Sequence, residues 1–74
     1  MKLFIELTGK KCLDKGFMGE WGLMIINKKS IIKVEASESD IYYFITLSNN
    51  ETYLCENENN KINGLREELK HIEV

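Results

Sequence analysis

Arg66 and His71 are the one pair of side chains in this 74-residue chain that offers a cation and a proton shuttle for general acid–base chemistry. Five positions apart, they do not share a helix face. The single histidine excludes a Ser-His-Asp or Cys-His nucleophile built around any other imidazole. Cys12 and Cys55 match neither a zinc pattern nor a CxxC redox motif. They are expected to be reduced and to pack as small hydrophobes. Glu35, Glu38 and Asp40 bring three carboxylates close in sequence, but the spacing is not that of an EF-hand loop and reads as a solvated acidic turn. Gly16 and Gly19 lack the basic and hydroxyl residues that complete a phosphate loop. The expectation is a protein without catalytic residues, bound metal or cofactor.

Binding is better represented. The run from Asp14 to Gly22 places Gly16, Gly19 and Gly22 among Phe17, Met18 and Trp21. Three glycines so close disfavour a helix or a central strand, so a turned loop is expected. Aromatic and methionine side chains on such a loop are the material of protein-binding hot spots. Phe17, Met18 and Trp21 are therefore candidate partner contacts. Trp21 has three readings: burial under a sheet, a protein anchor, or a platform for a nucleic-acid base.

Charge supplies a second set of candidates. Residues 1–33 hold seven Lys against Glu6, Asp14 and Glu20, a net +4; residues 34–74 hold Lys61, Arg66 and Lys70 against nine acids, a net −6. Such polarity orients a protein toward a charged partner. On the acidic side, Glu35, Glu38 and Asp40 are candidate partner contacts. On the basic side, Lys10, Lys11, Lys15, Lys28 and Lys29 lie in or beside expected turns, where clustering at one end of a sheet would make them nucleic-acid contacts.

These residues need a scaffold, and periodicity supplies it. Residues 2–8 alternate, with Leu3, Ile5 and Leu7 on one face and Phe4 exceptional on the polar one. Thr8 to Lys11 reads as a turn, and Cys12-Leu13 as the start of a short strand. Residues 23–26 form an apolar strand closed by the turn 27–30. Residues 31–36 alternate, with Ile32, Val34 and Ala36 inward. Residues 41–47 are apolar on both faces and fit an interior strand. Asn49 and Asn50 mark a hairpin turn, and residues 52–55 form its return strand. Ile62, Leu65, Leu69 and Ile72 then make one stripe of a helix, with Asn57, Asn59 and Asn60 as cap candidates. Gly64 inside that helix reads as a point of close approach to the sheet. The fold class is α+β: about five antiparallel strands, rolled or barrel-like, with one C-terminal amphipathic helix packed on them, in a single domain over 1–74. A core this small has a thin margin, which leaves monomer and homodimer both open. No apolar run has the length of a signal or membrane segment, so a cytoplasmic protein without membrane contact is expected.

The succession of strand 3–7, Gly9-Lys10 turn, strand 23–26, Asn27 turn into Ile31-Ile32-Lys33-Val34-Glu35, hairpin 45–52 and helix 57–72 resembles the FlbD-like small flagellar proteins and many uncharacterised small phage proteins. That resemblance implies a small structural or regulatory adaptor. Arg66 to His71 resembles the Arg-x4-His signature of HEPN ribonucleases, but that family is longer and all-helical. The short, acidic, motif-free chain also resembles phage inhibitors of host nucleases and CRISPR effectors. It implies a phage or mobile-element protein that binds an effector protein or ribonucleoprotein of a host nucleic-acid-guided defence complex. A weak RNA-binding module is the third expectation.

Overall fold

The computed structural model describes residues 3–13, 18–39 and 41–69. Five antiparallel strands make one curled sheet in the order β2-β1-β5-β4-β3. They are β1 (Phe4–Cys12), β2 (Gly22–Asn27), β3 (Ile31–Ala36), β4 (Tyr42–Leu47) and β5 (Thr52–Glu56), followed by the helix α1 (Lys61–Glu68). Strands β2 and β3 are the two edges, yet only a three-residue 3₁₀ turn, Lys28–Ser30, separates them in sequence. The sheet must curl to bring its edges that close. It curls without closing into a barrel, so the α+β reading with one C-terminal helix stands.

The long first strand drives the curl. Phe4 to Gly9 pair with β2, and Gly9 to Cys12 pair with β5. The expected turn from Thr8 to Lys11 and the short strand at Cys12 are therefore parts of one continuous β1. Gly9 is buried where the two ladders meet. A Cβ there would lie 2.8 Å from the Leu54 carbonyl oxygen and 2.9 Å from Cys55 Sγ, so the glycine serves close packing rather than a turn.

The inner face holds one core. Leu7, Ile26, Ile31, Val34, Tyr43, Ile45 and Cys55 meet Ile62, Leu65 and Leu69 of the helical segment. Each buried Leu or Ile side chain contributes about 1.5–3 kcal/mol. The inward set of β3 is Ile31 and Val34, because the register shifts between Ile31 and Lys33 and leaves Ile32 exposed. The hairpin turn after β4 places Asn50 at φ 67°, a conformation that asparagine accepts. Ahead of α1, Asn57 Oδ1 accepts the Ile62 N–H at 2.9 Å and satisfies one of the free amides of the first turn. No helix among the described residues is long and apolar enough to cross a membrane.

Gly64 does not approach the sheet. A Cβ added there meets nothing within 4 Å, so its cost is conformational entropy alone. Gly64→Ala should stabilise the chain by about 1 kcal/mol. A urea midpoint unchanged or lowered would contradict that placement.

Candidate functional site

The outer face of the sheet gathers side chains that alternate with the core. Val34, Ile45 and Cys55 point inward, so their neighbours point out. Register then sets Lys10 opposite Leu54, Leu54 opposite Phe44, Phe44 opposite Glu35, and Tyr42 opposite Glu56. Thr46 and Thr52 meet on the same face with hydroxyls 3.2 Å apart.

Trp21 lies on this face. Its ring carries the Lys10 ammonium 4.7 Å from its centroid and packs on the Tyr42 ring at 5.6 Å and 35°. It therefore links β1 to β4 across β5. The side chain is still 43% exposed, so Trp21 is neither buried under the sheet nor loose. Cation–π and aromatic contacts of this kind are each worth about 0.5–1.5 kcal/mol and fix the ring in place. Beside it is a groove of about 310 Å³ lined by Ser37, Glu38, Ser39, Tyr42, Phe44 and Leu54. The turn that presents Glu38 is held by Ser37 Oγ, which lies 2.7 Å from the Tyr42 carbonyl oxygen and accepts the Ser39 N–H at 3.1 Å. Together they form an aromatic platform with the Lys10 cation at one end and the Glu38 carboxylate at the other.

The structure brings together Trp21, Lys10, Glu35 and Glu38 from the sequence candidates. Glu35 is ion-paired with Lys33 on its own strand. Met18 bridges back to Cys12 and is 40% exposed. Phe17, Lys15 and Asp40 lie outside the described residues. Residue type alone does not single out Tyr42, Phe44 or Leu54; the apolar character of both faces of residues 41–47 is the signal for Tyr42 and Phe44, and Leu54 on β5 has none.

The lysines do not form one patch. Lys28 adjoins Leu3 through its N–H, while Lys10 lies seven positions further along β1, about 23 Å at the strand rise. Lys11 is ion-paired with Glu51, whose carboxyl is held below its ordinary range by hydrogen bonds from Lys11 and then Asn49. Lys28 is 7% exposed, and its ammonium lies 2.7 Å from Glu68 Oε2. It is thus withdrawn from any nucleic-acid surface. Lys29 is exposed at the opposite end of the hairpin from Lys10.

Arg66 packs over the buried Tyr43 ring at 5.4 Å, and His71 lies outside the described residues. Both cysteines are free thiols, and burial pushes the Cys55 thiol up to about 12, which leaves it un-ionised and unreactive at neutral pH. Among the described residues, no three His, Cys, Asp or Glu side chains are grouped to hold a metal ion. No family model, curated protein or solved structure matches the chain.

Proposed function

We propose that this chain is a non-enzymatic binding protein that docks a macromolecular partner on the outer face of its sheet, with Trp21 as the anchor. The observation that carries the reading is a tryptophan left 43% exposed yet held against Lys10 and Tyr42. A ring fixed before binding loses little entropy on docking, and tryptophan is enriched among residues that dominate interfaces. The groove beside Trp21 supplies a recess for a partner side chain, and Glu38 lines it with a carboxylate.

The narrower proposal is a phage or mobile-element inhibitor that binds a host nucleic-acid-guided defence complex. It rests on small size and on charge polarity, since acidic residues beside an aromatic platform suit the basic channel of such a partner. An RNA-binding role has less support. The Lys10 ammonium lies over the Trp21 ring, so a stacking base would have to displace it, and the lysines are dispersed along the hairpin.

Affinity capture with tagged wild type and Trp21→Ala, from the lysate of a cell that carries such a complex, tests both levels. The expected result is an effector protein or ribonucleoprotein that wild type retains and Trp21→Ala loses while still fully folded at the assay temperature, its melting point lowered only by the lost Lys10 and Tyr42 contacts. Recovery of a structural or flagellar partner would favour the adaptor reading. Recovery of nucleic acid alone, or a partner held equally by both proteins, would reject the Trp21 protein-docking face.

A further inference from the structure

The two edges of the sheet are built differently. Strand β3 is guarded by a bulge between Ile31 and Lys33 and by the exposed Lys33–Glu35 ion pair, two devices that block strand addition. Strand β2, Gly-Leu-Met-Ile-Ile-Asn, has no charge, no proline and no register break. Among the described residues it pairs on one side only, with β1. Its outward side chains Leu23 and Ile25 are 69% and 65% exposed, and Phe4 beside them on β1 is 54% exposed. A bare edge with an apolar outer row is a template for another strand.

We infer that the occupant of this edge is a second copy of the chain, joined through antiparallel β2–β2 pairing. The strand is complementary to itself. A two-fold axis normal to the sheet keeps the outer faces together, so a residue of β2 must sit on the axis. With Met24 there, Leu23 of each copy lies opposite Ile25 of the other, and four exposed apolar side chains form one cluster. With Ile25 on the axis, Leu23 would face Asn27 and the cluster would break. The Met24 register also sets the exposed Glu20 of one copy beside Lys28 and Lys29 of the other, at both ends. The Lys28 ammonium is committed to Glu68, so Lys29 supplies the cation. Acid before the strand and base after it meet only when the copies run antiparallel. The joined sheets would have ten strands and carry a Trp21 platform on each half.

Sedimentation equilibrium of the full chain tests this directly, and it reads mass rather than partner capture, so its outcome is separate from that of the Trp21 experiment. Wild type should rise from the mass of one chain toward that of two below about 1 mM, the weak end of specific association. Ile25→Lys places a charge at an exposed position, should fold as wild type does by circular dichroism, and should weaken the dimer at least 10-fold. Glu20→Lys and Lys29→Glu should each weaken it, and the double exchange should restore it. A wild-type mass of one chain throughout, an Ile25→Lys dimer as tight as wild type, or a double exchange no better than either single change would overturn the inference.

Discussion

Gly9→Ala should cost about 3 kcal/mol, the upper end of what overpacking a core position costs. The added methyl would lie 2.8 Å from the Leu54 carbonyl oxygen and from Met24 Cε, and 2.9 Å from Cys55 Sγ. Met24 is half-buried and its flexible end can move, but the Leu54 oxygen belongs to the backbone of the neighbouring strand and cannot. Relief would require β1 and β5 to separate where β1 changes partners, which is the point that makes the sheet curl. For a chain this small such a loss is a large share of total stability, worth about 15 °C in melting temperature. The fold supplies its own control. Gly22 pairs directly with Gly9, yet a Cβ at Gly22 meets nothing within 4 Å. Gly22→Ala should change stability by no more than about 0.5 kcal/mol. Urea unfolding of both variants reads the difference, and equal losses would contradict the packing described for Gly9.

Glu68→Ala should cost about 2 kcal/mol, although it removes a largely surface-facing carboxylate. The cost falls on its partner. Lys28 is 7% exposed, and its ammonium donates to Glu68 Oε2 at 2.7 Å. Removing one member of a fully buried pair costs about 3–5 kcal/mol, because a desolvated charge is left behind. The Glu68 side chain is 39% exposed, so water can replace part of its role and the expected loss is smaller. Lys28→Met removes the buried charge and leaves Glu68 free to hydrate, so it should stay within about 1 kcal/mol of wild type. Denaturant midpoints for the two single variants test the asymmetry. A larger loss for Lys28→Met than for Glu68→Ala would show that the ammonium itself, not its abandonment, carries the stability.

The parts of the fold legible in the sequence are those set by local pattern. Alternation identified the first half of β1 and β3, the aromatic and β-branched run 41–47 identified β4, Asn49 and Asn50 identified the hairpin, and the spacing of Ile62, Leu65 and Leu69 identified the helix. What the sequence misassigned depends on contacts far along the chain. Gly9 reads as a turn from its neighbours, but its role is to admit Leu54 and Cys55, more than forty positions away. Lys28 reads as a surface cation until Glu68 comes down on it from the helix. Ile32 reads as inward because a bulge is invisible to strict alternation. The same division holds for the site. Trp21 and its charged neighbours stood out by residue type and by an unusual run of glycines. Tyr42, Phe44 and Leu54 did not, because apolar residues on an interior strand look the same whether they fill a core or line an outer groove.

The central claim is that Trp21 anchors a partner, beyond the contacts with Lys10 and Tyr42 that hold its ring on the sheet. The most direct measurement is the affinity of the captured partner for wild type and for Trp21→Ala by surface plasmon resonance, with both proteins shown to be fully folded by thermal melts. The account predicts a loss of about 2 kcal/mol or more, at least about 30-fold in dissociation constant. Unchanged affinity per folded molecule, with the effect of Trp21→Ala confined to the melting temperature, would contradict it.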